Sequence, residues 1–219
     1  MIPEPVRRAV ATMGDFGHPW FLCGGWAVDA WLGRVTREHA DVDVAVFHDQ
    51  QTALYQHVAA GVPIGHDDNV DDSTKEPWAG RWLDVPAHIH MTAPGIEWDF
   101  QLCEREGSDL VLRREPLHRL PLERAAGMTG WEVPALTPPV IVYYKAIAPT
   151  WRNVPRDAPR AHDALDFERL VPLLDVDDRA WLVECIGAVD ASHPWLEALR
   201  RDAAEPDGAL SSPVARLPW

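Results

Sequence analysis

Asp41 and Asp43 are the side chains of this sequence best suited to bind a metal ion, because two carboxylates stand one residue apart. They open the segment 41–47, which alternates polar and apolar residues before it becomes wholly apolar and so predicts a β-strand with one buried face. Alternate side chains of a strand point the same way, about 6.6 Å apart along the chain, so both carboxylates should face outward together. Such a pair repels unless a cation lies between the two groups. Hard oxygen ligands favour Mg²⁺, which completes its shell with water and substrate phosphate oxygens.

A glycine pair, Gly24-Gly25, precedes the two aspartates and fits a phosphate-binding site. It lies between a predicted strand that ends at 21–23 and a predicted helix over 26–32, for which Gly33 is a suitable stop. Without side chains, backbone N–H groups can approach a triphosphate closely, and the positive end of a helix dipole favours the same anion. An ordinary tight turn is the alternative for a lone glycine pair. The order of glycine pair, short helix and strand carboxylates favours a phosphate seat beside a metal site.

A third carboxylate is needed to hold two metal ions or to accept the proton of an attacking hydroxyl. The segments 88–91 and 96–102 predict a hairpin, and Glu97, Asp99 and Gln101 share one face of its second strand. Asp99 is our choice because it lies mid-strand, where a neighbouring strand would bring it beside the first two aspartates. Glu97 is the alternative.

The residues around these groups resemble a known family. Between Cys23 and Asp43 the chain reads Gly-Gly-Trp, then an Asp, Leu-Gly-Arg, Thr-Arg-x-His and Asp-x-Asp, all at the family's spacing. This pattern is similar to that of aminoglycoside 2″-adenylyltransferase-like and lincosamide nucleotidyltransferase-like proteins, which belong to the polymerase-β-type nucleotidyltransferase superfamily. The resemblance implies that the glycine pair cradles the phosphates of an NTP. It also implies that Asp41, Asp43 and Asp99 form the catalytic metal site, with Asp99 a candidate for activating the acceptor hydroxyl.

A second resemblance lies in the C-terminal half. The segment 136–146 is similar to the family's Pro-containing helix that ends in Lys-Ala, which implies that Lys145 reaches the triphosphate. The segment 160–167 resembles the family's Lys-Asp-x-x-Asp-Phe, so the likeness extends over roughly residues 15–200. Two departures weaken the expected contacts to phosphate: Ile147 stands where the family often has Lys, and His162 replaces the Lys before the Asp. Arginines at 152, 156 or 160 are candidates to compensate.

Other polar groups admit a structural or a functional interpretation. Arg37 and His39 precede the aspartate pair, and either contact with the nucleotide or orientation of Asp43 is a candidate role; we assign Arg37 to nucleotide binding. His88 and His90 share a strand face, but Zn²⁺ would need a further ligand at suitable spacing. The remaining acidic groups read as solvated or paired surface: Asp67, Asp68, Asp71 and Asp72 in a loop, and Asp163 and Asp166 one helical turn apart.

The charge and composition of the chain limit the classes of partner. Its 219 residues carry a formal net charge of −14, which opposes nucleic-acid binding and weakly favours a cationic small-molecule acceptor. The apolar runs are too short to span a bilayer, and the N-terminus does not have the pattern of a signal peptide. Three widely separated cysteines predict reduced thiols in a cytoplasmic protein. The sequence leaves the oligomeric state open.

The order of predicted elements indicates an α+β fold, with a mixed sheet flanked by helices and a smaller helical unit after it. We expect an α/β nucleotidyltransferase domain at 1–135, a helical domain at 136–203 and a loose tail at 204–219. Helices are predicted at 3–13, 50–60, 138–148, 160–170, 178–189 and 194–202. Residues 61–80 are predicted as an acidic loop.

Together these features predict Mg²⁺-dependent transfer of a nucleoside monophosphate, with ATP as the expected donor, onto a hydroxyl of a small molecule. The resemblance suggests an aminoglycoside- or lincosamide-like antibiotic as acceptor, and pyrophosphate as the second product. Three alternatives remain: an antitoxin-type enzyme that modifies a protein side chain, a member that binds nucleotide without turnover, and a histidine-based hydrolase that would depend on His88 and His90. Retention of all three carboxylates argues against the second.

Overall fold

The computed structural model describes residues 1–58, 64–67, 76–112, 118–151 and 160–201. The strands are β1 (Trp20–Leu22), β2 (Val42–Phe47), β3 (Ile64–Asp67), β4 (Glu76–Pro77), β5 (His88–Ala93), β6 (Ile96–Glu106), β7 (Asp109–Leu112), β8 (His118–Pro121), β9 (Ala126–Met128) and β10 (Pro134–Leu136). The helices are α1 (Glu4–Met13), α2 (Gly24–Leu32), α3 (Gln51–Val58), α4 (Leu122–Ala125), α5 (Pro138–Trp151), α6 (Ala161–Leu170), α7 (Val176–Val189) and α8 (Trp195–Arg201). Short 3₁₀ turns occupy His48–Gln50 and Val171–Leu173.

The strands form one mixed sheet with the order β4-β3-β5-β6-β2-β1-β10-β9, and β7 and β8 extend from β6. Strand β2 lies inside the sheet, antiparallel to β1 and parallel to β6. Because parallel neighbours must be joined by a crossover, β2 and β6 come from distant parts of the sequence. Residues at the start of β2 therefore meet residues near the start of β6.

The helices pack on this sheet and on one another. Helix α2 contacts β2, and α5 contacts α2, α6 and α7, so α5 joins the sheet layer to the C-terminal helices. The buried apolar side chains form one core cluster that includes Val6 in α1, Val44 in β2 and Leu199 in α8. The α+β class with a mixed sheet and helices after it is confirmed. The division at residue 135 into two domains stays a prediction.

The predicted helices agree with α1, α3 and α5–α8 to within a few residues. Gly33 ends α2 in the left-handed conformation, with φ 69°, as its position predicted. The predicted loop at 61–80 is wrong in part, because 64–67 and 76–77 pair as β3 and β4. Strands β8, β9 and β10 were not predicted, since runs this short carry little periodic signal. The acidic residues at 68, 71 and 72, the arginines at 152 and 156 and the tail at 204–219 lie outside the described residues.

Among the described residues no helix has both the length and the apolar character needed to cross a membrane. Cys23, Cys103 and Cys185 are buried free thiols. Burial raises the pKa of the Cys103 thiol to about 12, as it does for Cys185, so both are protonated and unreactive at neutral pH.

Candidate active site

Asp43 and Asp99 lie side by side on the parallel strands β2 and β6, where they are partners in the register. Asp99 is 9% exposed and Asp43 is partly buried, and both line the same cavity. The sequence argument placed Asp99 beside the first two aspartates, and this register brings it directly beside one of them. Glu97 is exposed and accepts a hydrogen bond from Thr92 Oγ1 at 2.7 Å. Of the two candidates for the third carboxylate, Asp99 is the one that faces the cavity.

Asp41 stands just outside the strand, in a bend, because β2 begins at Val42. The strand alternation that was expected to align Asp41 with Asp43 therefore does not apply to Asp41. Its side chain is exposed, yet it also lines the cavity. The three carboxylates line one cavity. Asp43 and Asp99 come from near the starts of β2 and β6, and Asp41 comes from the bend before β2.

Gly24 and Gly25 form the first turn of α2, not a loop before it as the sequence suggested. Gly24 has a φ of 59°, and a Cβ there would overlap the carboxylate of Asp43. A Cβ on Gly25 would overlap the side chains of Arg37 and His39. The glycine pair is thus required by the close approach of cavity side chains, and its missing side chains leave the start of α2 open to the cavity.

A buried aspartate in α2 holds the loop that leads into β2. Asp29 is fully buried and accepts hydrogen bonds from the amide (3.1 Å) and the hydroxyl (2.5 Å) of Thr36. His39 Nε2 lies 2.7 Å from the other Asp29 oxygen, and its ring packs 4.3 Å from that of Trp26. Burial lowers the pKa of His39 despite the hydrogen bond to Asp29, so the ring is neutral at pH 7. These contacts make His39 a structural anchor for the segment carrying Arg37 and Asp41.

Two side chains fix the orientation of the carboxylates on β2 and β6. Gln101 Nε2 donates to Asp43 Oδ1 at 3.1 Å. His88 Nδ1 lies 2.9 Å from Asp99 Oδ2, reaching diagonally across the β5–β6 pair. The other Asp99 oxygen, Oδ1, is buried with no hydrogen-bond partner in the described part of the chain.

Lys145 and Arg37 line the same cavity as the carboxylates. Lys145 Nζ lies 2.7 Å from Asp163 Oδ1 and 2.9 Å from Asp166 Oδ2. Arg37 binds Asp166 through Nη2 at 3.0 Å and Nε at 3.4 Å. The sequence left Asp163 and Asp166 as a polar face or as partners of the connector arginines; in the structure they are buried partners of the two predicted phosphate-binding cations.

The cavity between these groups has a volume of about 320 Å³, within the range of small-molecule sites. Its lining carries two sets of polar groups, which we call halves. The carboxylate half is Asp41, Asp43 and Asp99; the cationic half is Arg37, Lys145, Arg160 and His162, with the carboxylate of Asp163 paired among them. Burial lowers the pKa of His162, so it adds no charge at pH 7. The site thus offers a cation-binding half and an anion-binding half to one ligand.

The carboxylate half favours a divalent cation. Burial, followed by the charges of Asp99 and Asp41, raises the pKa of Asp43 to about 7. A bound cation would relieve this repulsion and give the unpartnered Asp99 Oδ1 a ligand, and carboxylate oxygens are the donors that Mg²⁺ prefers. Within the described residues, however, no three His, Cys, Asp or Glu side chains stand ready as a metal-binding group. The donor chemistry fits Mg²⁺, while ligation by Asp41, Asp43 and Asp99 stays a prediction.

The sequence interpretation missed the contribution of His88 and Tyr144 to this site, and it treated Gln101 only as a neighbour on the Asp99 face. His88 was considered only for zinc; its place beside Asp99 follows from the hairpin register, which the sequence alone left open. Tyr144 precedes Lys145 on α5 and also lines the cavity. No local pattern marks such residues, because their role depends on the neighbouring strand or helix.

Comparisons with known proteins bear on this arrangement. Residues 6–76 match the family model of aminoglycoside-2''-adenylyltransferase. The predicted family resemblance is confirmed over these residues, and for the segments 136–146 and 160–167 it stays a prediction. Over 39 residues the chain is 44% identical to a 2''-aminoglycoside nucleotidyltransferase of Escherichia coli, and equally to one of Klebsiella pneumoniae. The matched stretch covers 18% of this chain and 22% of each relative.

Three solved structures of antibiotic-modifying enzymes share the fold of this chain. A crystal structure of the lincosamide antibiotic adenylyltransferase LnuA with bound lincomycin superposes with a TM-score of 0.54 and 12% identity, over 78% of this chain and 96% of that one. A crystal structure of ANT(2'')-Ia in complex with adenylyl-2''-tobramycin has a TM-score of 0.57 and 16% identity, over 82% of this chain and 94% of that one. A solution structure of ANT(2'')-Ia has a TM-score of 0.58 and 15% identity, over 89% of this chain and 94% of that one. At such identities the likeness establishes the fold, and the activity must be argued from the site.

Proposed function

We propose that this chain is a metal-dependent nucleotidyltransferase that transfers AMP from ATP to a hydroxyl of a small molecule, with release of pyrophosphate. The observation that carries the proposal is the pairing of Asp43 with Asp99 across β2 and β6, in one cavity that Lys145 and Arg37 also line. A nucleoside triphosphate needs both a cation site and an anion site, and this cavity has both. The family resemblance of residues 6–76 supports the same chemistry.

In the proposed reaction an acceptor hydroxyl oxygen attacks the α-phosphorus of the NTP in line with the leaving group. The new P–O ester bond forms as the bond to pyrophosphate breaks, and the hydroxyl proton passes to a carboxylate of the site. Mg²⁺, when bound, would lower the barrier by neutralising charge on the attacking and leaving oxygens. The protein's own contribution is positioning and fixed charge. Arg37 and Lys145 attract the triphosphate, and Asp99, held by His88, is the base that we propose for the hydroxyl.

The acceptor that we propose is an aminoglycoside- or lincosamide-like antibiotic. The net charge of −14 supports this choice, because it weakly favours a cationic acceptor. The related structures in complex with lincomycin and with adenylyl-2''-tobramycin show that similar folds hold such molecules. We further propose that the protein acts in the cytoplasm, where ATP and Mg²⁺ are available.

The direct test is transfer of label from ATP carrying ³²P at the α-phosphate, in the presence of Mg²⁺, to a panel that includes tobramycin and lincomycin. We expect a labelled antibiotic and pyrophosphate in equal amounts, and loss of both on chelation with EDTA or in Asp43→Asn. Label on a protein of a bacterial lysate, with none on the panel, would favour the protein-modifying alternative. Binding of ATP without transfer to any acceptor would favour a non-catalytic member and contradict the proposal.

A further inference from the structure

Helix α6 buries two carboxylates, Asp163 and Asp166, beside the candidate active site. Asp163 is 3% exposed and Asp166 is fully buried. Buried carboxylates are costly unless they are paired with cations and hydrogen-bonded. Because the two lie one helical turn apart, they face the same neighbours. The residues that pair with Asp163 and Asp166 therefore indicate the role of these two buried carboxylates.

These partners come from two other segments of the chain. Lys145 of α5 places its ammonium between the two carboxylates, at 2.7 Å from Asp163 and 2.9 Å from Asp166. Arg37, from the loop before β2, donates hydrogen bonds to Asp166 from Nε and Nη2. Burial alone would raise the pKa of Asp166, but the Arg37 hydrogen bond and the Lys145 charge outweigh it and hold that pKa below its usual value. Asp166 is ionised and joins three segments.

The carboxylates do not neutralise the cationic half of the cavity. Asp163 also pairs with Arg160 at 3.2 Å, and Asp166 with Arg169 at 3.2 Å. Four permanent cations thus surround two carboxylates, and the cluster keeps a net positive charge. Arg37, Lys145 and Arg160 line the cavity, so the excess charge faces the space in which a ligand would lie.

The geometry also leaves hydrogen-bond donors for that ligand. An ammonium has three N–H donors, and within the described residues Asp163 and Asp166 occupy two, so one is left for Lys145 to offer. Arg37 has five N–H donors, and its contacts in the same part of the chain, with Asp166 and with the Glu38 carbonyl, leave others available. Both cations are held in one position before any ligand arrives. Such preorganisation avoids the cost of ordering long, flexible side chains on binding.

We propose that Asp163 and Asp166 are positioning residues, which hold Lys145 and Arg37 on the cavity wall as the binding site for the polyphosphate of the NTP. The inference rests on the proposed function for the identity of this ligand. It assigns to two acidic residues a role in binding an anion, through the cations that they orient. It also means that Lys145 makes its phosphate contact from a fixed position and does not extend freely into the cavity.

The experiment that separates positioning from simple electrostatics is calorimetry with inorganic tripolyphosphate in EDTA-containing buffer. Removing a negative charge near an anion site should strengthen binding if only Coulomb attraction matters. Positioning predicts the opposite: Asp166→Asn and Asp163→Asn should each weaken tripolyphosphate binding by about tenfold. Asp178→Asn is the matched control, because Asp178, on α7, pairs with Arg124 at 2.9 Å and not with Lys145 or Arg37. This variant should bind tripolyphosphate as the wild type does.

A double-mutant cycle measures the coupling between Asp163 and Lys145 in tripolyphosphate binding, which a purely structural role of Asp163 would not produce. If Asp163 acts through Lys145, then Lys145→Met together with Asp163→Asn should bind no more weakly than Lys145→Met alone. Circular dichroism should establish that each variant is folded; if Asp166→Asn is not, Asp163→Asn and its cycle decide the question. Unchanged or tighter binding in the folded Asp→Asn variants would overturn the proposal, as would absence of tripolyphosphate binding by the wild type.

The proposed function and this inference fail in different ways. If the wild type binds tripolyphosphate with the expected dependence on Asp163 and Asp166 but modifies no acceptor, the transferase proposal fails and the positioning role stands. If it transfers AMP while both variants keep the wild-type KM for ATP, the positioning role fails and the transferase proposal stands.

Discussion

The carboxylate of Asp43 lies against the Cα of Gly24, in the space that a Cβ at that position would occupy. Gly24 also has a φ of 59°, so two separate constraints require glycine there. The first residue of α2 and the second residue of β2 are therefore fitted to each other. A substitution at Gly24 should act on the Asp43 carboxylate as well as on the backbone.

We expect Gly24→Ala to reduce AMP transfer by about 100-fold or more, because the new methyl group must displace Asp43. Gly33→Ala is the matched control: its φ is 69°, but nothing lies within 4 Å of the added Cβ. It should cost about 1 kcal/mol of unfolding free energy from backbone strain alone and leave transfer near the wild-type rate. Urea unfolding and transfer kinetics of both variants check this. Equal rates in the two would refute the steric argument.

Asp99→Asn should lower the transfer rate by at least about 100-fold, since the amide can neither accept the hydroxyl proton nor supply a second anionic oxygen. Glu97→Gln, two residues away on the same strand but exposed and not among the cavity-lining residues, should stay within about twofold of the wild type. Steady-state kinetics of both variants distinguish the two candidates for the third carboxylate. A larger loss in Glu97→Gln would reverse the assignment.

The pKa of Asp43 predicts a pH-dependent stability for the metal-free protein. The folded-state pKa of about 7 lies above the ordinary 3.8, so between these values the unfolded chain holds fewer protons than the folded one. The contribution of Asp43 to stability should therefore fall as the pH rises from about 4 to about 7. Asp43→Asn has no charge to bury, so in EDTA at pH 8 it should unfold at a higher temperature than the wild type, with the difference vanishing near pH 4.

Mg²⁺ should change this comparison, because a ligand that binds the folded state stabilises it. Its addition at pH 8 should raise the unfolding temperature of the wild type and leave that of Asp43→Asn nearly unchanged. Thermal unfolding across the pH range, with and without Mg²⁺, provides the measurement. Parallel pH profiles for the two proteins in EDTA would show that Asp43 carries no such charge penalty.

Asp29→Ala should destabilise the fold by about 3 kcal/mol, because it leaves the buried donors of Thr36 and His39 without their acceptor. Asp49→Ala is the control: its ion pair with Arg105 is exposed and should contribute less than about 1 kcal/mol. Denaturant unfolding of both variants gives the comparison. A cost for Asp29→Ala no greater than that of the control would mean that the loop before β2 is held by other contacts.

The sequence alone determined the elements whose signals are local. The alternating and then apolar run at 41–47 predicted β2, which begins one residue later at Val42, and the helix predicted at 138–148 begins where α5 does. The family pattern between Cys23 and Asp43 was readable because its members lie close together along the chain. Such features depend on periodicity and chain stiffness, which act over a few residues.

Only the tertiary structure decided which distant residues meet. The register that places Asp99 beside Asp43 depends on a parallel pairing across a long crossover, which no local period encodes. The contacts of Lys145 and Arg37 with Asp166 likewise join three segments, the most distant of them 129 positions apart. Side chains so far separated are brought together by burial of a shared core. The spacing of such residues in the sequence does not indicate that they are in contact.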